Sequence, residues 1–294
     1  MHVRGHGFVT ASRVELSKWW VMTRVDLHLH LLPGVDDGAP DEATALEHAA
    51  RMAADGVHVA TVTPHVGSPH FGTVLEEIPE RTAALQRALD REGIALRVEA
   101  GGELYPGAAA GLSAQQLDAI AHGPANARWV LAEVPFAGVD AAFADGLAEI
   151  RAKGFGIVIA HPERAAGLLT DGGLTRLRPA LQHGAVLQVN ACSLIGRQGP
   201  EAQDAARRLI RARLAYIIAS DGHPATRGHT LAAGEPAALQ AGASPAQVVQ
   251  LTQANPRFLL RHGLPRVDAP LPLRAAGLRH ARAAARRLRP GVRG

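Results

Sequence analysis

Short apolar runs alternate with longer segments of helical periodicity from residue 24 onward. The runs are rich in Val, Ile, Leu and Ala and are four to six residues long, which is typical of buried strands. We expect seven strands, at Val25–Leu29, Val57–Val62, Ala95–Glu99, Trp129–Val134, Gly156–Ala160, Val186–Val189 and Tyr216–Ala219.

The segments between these runs favour helices. Several of them end in Gly, as helices often do, because Gly readily takes the left-handed conformation at a C-cap. We expect helices at Asp41–Ala54, Thr73–Arg91, Ser113–Ala121, Asp140–Lys153, Leu174–Gln182 and Pro200–Arg213, with further helical stretches near Leu231–Gln240 and Pro245–Gln253.

This alternation predicts an α/β fold with a parallel sheet and crossover helices. Seven strands fit a closed or nearly closed barrel better than a short open sheet, although an open doubly wound sheet is an alternative. No repeat or internal linker divides residues 24–262. We therefore expect an N-terminal extension at 1–23, one domain at 24–264 and a C-terminal tail at 265–294.

Length and composition narrow the class of protein. The chain has 294 residues, of which 47% are hydrophobic, enough for one large α/β domain. No apolar run approaches a membrane span, and the N-terminal stretch lacks the apolar core of a signal peptide, so we predict a cytoplasmic location. The single cysteine, Cys192, excludes an internal disulfide and a thiolate-rich metal site.

The positive charge is concentrated in the tail. From Arg266 to Gly294 there are eight arginines and one acid, a charge of +7, whereas the whole chain carries +4, which leaves −3 for residues 1–265. The domain therefore does not have the charge of a nucleic-acid binder. We expect the tail to be a solvated extension, or alternatively to touch an anionic membrane surface.

Acidic residues and histidines recur at the predicted strand ends. Functional side chains of such barrels gather at the carboxyl ends of the strands. His28 and His30 are two residues apart on one strand and therefore point to the same side. The whole set predicts a metal site, formed by His28, His30, His65, Glu103, Glu133, His161, Asp221 and His223.

Eight ligands could serve two or three ions with bridging carboxylates. Imidazole and carboxylate without thiolate suit Mn²⁺, Fe or Zn²⁺, with Mg²⁺ as a further alternative. Clustered ions would activate a water molecule and clamp the oxygens of a phosphoryl group or a carbonyl.

Three arginines at the same rim favour phosphate over an amide. Arg164, Arg197 and Arg227 all follow predicted strand ends, and a guanidinium fork matches phosphate oxygens. Asp36 and Asp37 lie in the loop after the first strand, where one of them could ligate metal or protonate a leaving oxygen. The alternative is that this Pro- and Gly-rich segment is only a turn. We interpret the chain as a metal-dependent phosphoesterase.

The motifs together resemble those of the PHP (polymerase and histidinol phosphatase) superfamily. The matching segments are His28-Leu-His30, Thr63-Pro64-His65, His161-Pro-Glu-Arg164 and Ser220-Asp-Gly-His223. The loop Leu32-Pro-Gly-Val-Asp-Asp-Gly-Ala39, with Gly102-Glu103, Glu133-Val-Pro and Gly196-Arg197, resembles the capsular polysaccharide tyrosine-phosphatase branch of CpsB/CapC type. The resemblance extends from about Val25 to Leu264.

This resemblance implies a distorted (β/α)₇ TIM-like barrel with a trinuclear, usually manganese-activated site. It implies a protein-tyrosine phosphatase whose partner is a tyrosine-phosphorylated protein, typically a bacterial tyrosine autokinase controlling capsular or exopolysaccharide synthesis. The metal ligands would be the eight residues above. Arg164, Arg197 and Arg227 would hold phosphate, and Arg164 together with Asp36 or Asp37 would act in catalysis.

Three other functions fit parts of the pattern. A PHP phosphatase of a small metabolite, such as histidinol phosphate, would have the same metals and differ only in the surrounding loops. A metal-dependent amide hydrolase of similar barrel form would not need three rim arginines. A non-enzymatic binding module would not need every ligand type. A thiol-based tyrosine phosphatase needs Cys-x5-Arg, whereas Cys192 and Arg197 form Cys-x4-Arg.

Overall fold

A computed structural model describes residues 23–264 of the chain. The predicted N-terminal extension, apart from Thr23, and the Arg-rich tail lie outside the described residues. Within them there are nine strand segments: β1 (Arg24–Leu29), β2 (Val57–Val62), β3 (His65–Val66), β4 (Arg97–Ala100), β5 (Glu103–Leu104), β6 (Trp129–Glu133), β7 (Gly156–Ala160), β8 (Val186–Asn190) and β9 (Ala215–Ala219).

The strands pair in parallel and form two sheets. Their orders are β1-β2-β4 and β3-β5-β6-β7-β8-β9. The segment β3 continues the path of β2, and β5 continues that of β4, so the described chain has seven strand positions. The last position meets the first, because the amide of Asp221 donates to the carbonyl of His28 and that of His30 to Gly222, each over 3.0 Å. The α/β fold with a distorted seven-stranded barrel is thus confirmed.

Most helices of the described chain lie between successive strand positions, and the last three follow β9. The helices are α1 (Glu42–Ala54), α2 (Ile78–Arg91), α3 (Ala114–Ile120), α4 (Ala141–Ala152), α5 (Gly173–Gln182), α6 (Ala191–Leu194), α7 (Pro200–Arg211), α8 (Gly234–Gln240), α9 (Pro245–Val249) and α10 (Asn255–His262). A π-helical segment at Gln250–Ala254 joins α9 to α10. Two predicted helix starts correspond to caps, since the Asp41 and Asp140 carboxylates accept the amides of Thr44 and Phe143 over 2.8 Å. The helix expected from Thr73 begins only at Ile78, after a 3₁₀ turn.

Two strand predictions differ from the structure for local steric reasons. The second predicted strand resumes after Thr63-Pro64, since proline has no amide hydrogen to donate to a ladder. The third was expected at Ala95–Glu99 but begins at Arg97 and resumes after two glycines. A Cβ on the first of these, Gly101, would lie 2.2 Å from His122 Nε2, so this close approach requires glycine.

The end of the described chain closes the other side of the barrel. The fully buried Trp129 packs in an apolar cluster with Leu131, Leu259 and Leu264, and its indole donates to the carbonyl of Leu259 over 3.1 Å. This contact fixes α10 against β6 and leaves the carboxyl ends of the strands free for polar side chains. None of the helices in the described part of the chain is long and apolar enough to cross a membrane.

Candidate metal centre

The carboxyl ends of the strands bring the eight predicted ligands together. His28 lies in β1 with His30 just after it, His65 in β3, Glu103 in β5 and Glu133 at the end of β6, while His161 follows β7 and Asp221 and His223 follow β9. Seven of these side chains are buried, and only that of His65 is partly exposed, by 12%.

Glu103 is the central carboxylate of this cluster. Its Oε2 lies 3.3 Å from Nε2 of both His28 and His30 and 3.2 Å from His65 Nδ1. The same oxygen is buried and has no hydrogen-bond partner among the described residues. Its other oxygen lies 2.9 Å from His161 Nε2. A buried carboxylate oxygen facing three imidazole nitrogens has the position of a ligand that bridges ions.

The tautomers of His28 and His30 point to the same conclusion. His28 Nδ1 lies 2.9 Å from the side-chain carbonyl oxygen of Gln188, and His30 Nδ1 lies 2.7 Å from Asp36 Oδ2. Both partners are acceptors, so Nδ1 carries the hydrogen in each ring. The two Nε2 atoms, which then hold lone pairs, face each other over 3.2 Å. Either a proton or a metal cation must lie between such atoms.

The pKa values also show how much negative charge the cluster holds. Burial, together with the carboxylate of Glu103, raises the pKa of Glu133 to about 9. Burial opposes the charged form of His30, yet Asp36 and Glu103 raise its pKa well above the usual value. Without a cation, Glu133 and His30 therefore hold protons that balance part of the negative charge of the other carboxylates. The residues present fit bound metal, which would replace these protons.

Two of the ligands have strained backbones. His161 has φ 30° and Asp221 has φ 50°, in the left-handed region that disfavours residues with a Cβ. Such conformations cost of order 1–3 kcal/mol and persist where the surroundings hold them. His161 directly follows β7 and Asp221 lies two residues after β9, so the strain turns both side chains into the cluster where the strands end.

Asp36 and Asp37 have different surroundings. The buried Asp36 carboxylate contacts His30 and accepts the amides of Gly38 and His65, each over 3.0 Å, so its oxygens are engaged by the protein. Asp37 is 46% exposed and its Oδ1 lies 3.2 Å from His223 Nε2 and 3.5 Å from His65 Nε2. Asp37 therefore faces both the ligands and the open side of the rim.

The three predicted arginines are not equivalent. Arg164 Nη1 lies 3.1 Å from Asp221 Oδ2, and Arg227 Nη2 lies 3.4 Å from Asp221 Oδ1, so both guanidinium groups reach the cluster. Their side chains are 17% and 22% exposed. Arg197 is exposed and its charge acts on His229, whose pKa is lowered chiefly by burial and then by Arg227 and Arg197.

Two aromatic rings flank the centre. Phe71 stacks on His65 with the ring centroids 5.2 Å apart. On the other side, Phe136 is 47% exposed, its centroid is 5.9 Å from that of His161, and Arg164 lies 4.2 Å over its face. Phe136 and Arg164 also line a cleft of about 630 Å³ that continues along Leu168, Gln198 and Glu201. An exposed aromatic ring beside a cationic group is typical of a binding surface.

The prediction from sequence missed four residues around the centre. Gln188 and Asn190 on β8 and Asp26 on β1 are fully buried polar residues that contact the ligands or their backbones. The period of two was the available signal, since 26, 28 and 30 share one side of β1, as 188 and 190 share one side of β8. Phe136 had no comparable signal.

The match to a family model covers the whole described domain. Residues 24–261 match the family described as "Capsular polysaccharide synthesis, CpsB/CapC". The chain belongs to the CpsB/CapC family. The matched range begins at β1 and ends within α10, so it includes all eight candidate ligands and both arginines that reach them.

Two relatives within this family extend the comparison. The tyrosine-protein phosphatase YwqE of Bacillus subtilis is 30% identical over 201 residues, which cover 68% of this chain and 77% of that protein. The putative tyrosine-protein phosphatase CapC of Staphylococcus aureus is 27% identical over 206 residues, covering 69% of this chain and 78% of the relative.

Solved structures agree with the CpsB/CapC assignment. A structure from work on YwqE of Bacillus subtilis and CpsB of Streptococcus pneumoniae, described as metal-dependent tyrosine phosphatases, superposes with a TM-score of 0.70 at 25% identity, over 84% of this chain and 98% of the other. The phosphotriesterase homology protein of Escherichia coli superposes with a TM-score of 0.52 at 16% identity, over 80% of this chain and 98% of the other. At that identity the second match supports the barrel fold alone.

Proposed function

We propose that this protein is a metal-dependent protein-tyrosine phosphatase. The observation that carries the proposal is the joint presence of a bridging-type carboxylate among four histidines and two arginines that reach the same cluster. The family, and the names of its relatives YwqE and CapC, support the same reaction.

We propose that two or three Mn²⁺ ions bind among the eight ligands. Three groups of side chains could each hold an ion, because within each group the donor atoms all lie within 4.8 Å of one another. The groups are His30, Asp37, His65 and His223; His28, His30 and Glu103; and His65, Glu103 and Glu133. When bound, such ions lower the pKa of a water molecule and neutralise the oxygens of a transferring phosphoryl group. Fe, Zn²⁺ and Mg²⁺ are alternatives for the same donor types.

The side chains at the rim have distinct roles in this proposal. Arg164 and Arg227 bind the phosphate oxygens and stabilise the charge that develops on them. Asp37, whose Oδ1 lies 3.2 Å from His223 Nε2, would hold metal or accept a proton from a water molecule, because burial raises its pKa less than the hydrogen bonds to His223 and His65 lower it, so that it is a carboxylate. Asp36 holds His30 and the backbone of His65 in place. Arg197, at the exposed edge, adds positive charge for the approaching substrate.

The exposed Phe136 and the cleft beyond it favour an aromatic phosphate on a polypeptide. The tyrosyl ring would lie against the exposed part of the Phe136 ring that Arg164 does not cover, while its phosphate contacts Arg164. The flanking chain would follow the cleft of about 630 Å³. A small metabolite such as histidinol phosphate would leave most of that cleft empty. The physiological partner we propose is a tyrosine autokinase acting in capsular or exopolysaccharide synthesis in the cytoplasm.

Substrate comparison tests this proposal. Specificity constants should be measured on the metal-loaded full chain with a phosphotyrosine peptide, a phosphoserine peptide and histidinol phosphate. We expect the phosphotyrosine peptide to be preferred by at least tenfold, chelation to abolish turnover and Mn²⁺ to restore it. Phe136→Ala should raise KM for the peptide several-fold, whereas Leu239→Ala, at another exposed apolar position on α8, should not. A tenfold preference for histidinol phosphate would replace this assignment with metabolite phosphatase.

The Arg-rich tail is proposed to be dispensable for chemistry. It lies beyond the matched range, and its eight arginines suit contact with an anionic membrane surface rather than catalysis. A chain ending at Leu264 should hydrolyse a small aryl phosphate at nearly the rate of the full chain. A hundredfold fall would show that the tail takes part in the active site.

A further inference from the structure

Two fully buried amides lie behind the metal ligands on β8. Gln188 and Asn190 are both 0% exposed, and their side chains hydrogen-bond to each other over 2.7 Å. Each amide also contacts a candidate ligand: Gln188 contacts His28, and Asn190 contacts Asp221. Buried amides are costly unless every polar group has a partner, so this pair has a structural or functional role.

The groups at the two ends of this row of hydrogen bonds fix which atom donates in each bond. A carboxylate can only accept, so the Asn190 NH₂ group donates to Asp221 Oδ2 over 2.6 Å. The Asn190 oxygen therefore faces Gln188 and accepts from the Gln188 NH₂ group. The Gln188 oxygen then accepts at the other end, where the backbone amide of His161 donates to it over 3.3 Å. The amide orientations thus agree at both ends.

These hydrogen bonds fix the state of two candidate metal ligands, His28 and Asp221. His28 Nδ1, 2.9 Å from the Gln188 oxygen, must carry its hydrogen, which leaves His28 Nε2 with a lone pair toward Glu103 and His30. At the other end, Asp221 Oδ2 is held by Asn190 and Arg164. Its second oxygen, Oδ1, then faces His28 Nε2 over 3.6 Å. His28 Nε2 and Asp221 Oδ1 therefore face the same place, and Oδ1 also lies 3.4 Å from Arg227 Nη2 at the rim.

We propose that Gln188 and Asn190 are positioning residues that form an amide relay between Asp221 and His28, fixing the His28 tautomer and the Asp221 rotamer that bind metal. This inference rests on the proposed metal-dependent function. Partners of this kind orient a ligand before the metal arrives, and their loss typically weakens metal binding by roughly 10–100-fold. Asp36 has the same role toward His30 Nδ1 through a carboxylate.

Metal affinity tests the relay without depending on turnover. Gln188→Met keeps the length and volume of the side chain but removes its three hydrogen bonds, to His28, His161 and Asn190. We expect the Zn²⁺ dissociation constant of the full chain, measured by competition with a chelating dye, to rise at least tenfold. Gln247→Met is the matched control, because Gln247 is a buried amide that donates to the Ile210 carbonyl and should leave Zn²⁺ affinity unchanged. A folded Gln188→Met with affinity within twofold of the parent overturns the relay.

Coupling and tautomer measurements separate a relay from general packing. Asn190→Leu should weaken Zn²⁺ binding as well, and the double variant with Gln188→Met should lose little more than the worse single variant, because each change interrupts the same chain. Additive losses would contradict the relay.

The His28 tautomer can be measured even if the variants do not fold. In nitrogen-15 spectra of the Zn²⁺-loaded parent we expect a protonated His28 Nδ1, and a protonated Nε2 would overturn the proposal. A parent chain that binds no Zn²⁺ or Mn²⁺ would instead refute the metal-dependent function itself.

Discussion

At the scale of single residues, charge compensation decides which side chains are essential. Glu103 faces four imidazoles, and its pKa is pulled well below the usual value despite burial, chiefly by His28 and His65. A buried anion with this many cationic or metal-bound neighbours cannot be replaced by a neutral group without changing the charge of the whole cluster. The same reasoning distinguishes Glu103 from the acids on the outer surface.

Glu103→Gln should therefore empty the centre. The amide is isosteric, but its nitrogen is a donor and cannot ligate a cation that the carboxylate would bridge. We expect metal content, measured by elemental analysis after dialysis, to fall, and turnover of a phosphotyrosine peptide to decrease by roughly 100-fold or more, since even outer partners of ligands are worth 10–100-fold. Glu99→Gln, on the neighbouring segment β4, is the control and should retain both properties.

A buried histidine away from the centre should make stability depend on pH. Burial, assisted by Arg128, lowers the pKa of His122 to about 3. Between pH 6.5 and 3 the unfolded chain binds a proton there that the folded chain does not, so the contribution of His122 is complete above pH 6.5 and is lost as the pH falls. His122→Phe should remove this dependence.

The measurement is the free energy of unfolding at pH 7 and pH 5 with chelator present. On lowering the pH, the parent should lose about 2 kcal/mol more than His122→Phe, because a displaced pKa is worth roughly 1.4 kcal/mol per pH unit. His70→Gln, at an exposed position, should follow the parent. Parallel profiles for parent and His122→Phe would contradict the explanation.

At the scale of elements, the loops after the strands position the side chains around the metal ligands. The loop after β1 folds back so that the amide of Ala39 donates to the carbonyl of His30 over 3.1 Å, and it thereby brings Asp36 against His30 and His65. A Cβ on Gly38 would lie 2.1 Å from that same carbonyl oxygen. The absence of a side chain at this position is therefore what lets the loop approach the strand.

Gly38→Ala should displace this loop and weaken the metal centre. Because the clash is with backbone, the cost should be roughly 1–3 kcal/mol of unfolding free energy, as for other overpacked sites. Zn²⁺ affinity should fall as Asp36 and Asp37 move. Gly72→Ala, also in a loop near the rim, is the matched control, since no heavy atom lies within 4 Å of its added Cβ. Equal stability and affinity in both variants would show that the loop tolerates the displacement.

The elements also show which features a sequence can specify. The seven strand positions follow from apolar periodicity, and the ligands follow because parallel strands all end at one rim. The breaks before β3 and β5 depend on Pro64 and on the packing of Gly101 against His122, which is a contact between distant residues. The Gln188–Asn190 pair is similar. The sequence shows two polar residues on one side of a strand, but only the tertiary contacts show where their hydrogen bonds lead.

At the scale of the whole molecule, the metal centre lies where the barrel closes. Its ligands come from β1, β3, β5 and β6 and from the loops that follow β1, β7 and β9, so the centre joins strands that are far apart in sequence. The two sheets meet between β9 and β1 through the parallel bridge Leu29–Gly222 and the amides of His30 and Asp221. Bound ions would hold this junction from the inside, while without them the buried acids and imidazoles depend on shared protons.

Metal should consequently stabilise the fold as well as support turnover. Ligand present at 100 times its dissociation constant adds about 2.7 kcal/mol to the free energy of unfolding, which for a domain of this size corresponds to roughly 5–10 °C in Tm. Thermal unfolding of the full chain should therefore shift down by that amount in excess chelator and recover with Mn²⁺ or Zn²⁺. Hydrogen exchange should increase most at β1 and β9, and least in the outer helix α2. Glu103→Gln should show the lower Tm in both conditions. Identical unfolding of the parent with and without metal would mean that the barrel closes without the ions and that the centre serves chemistry alone.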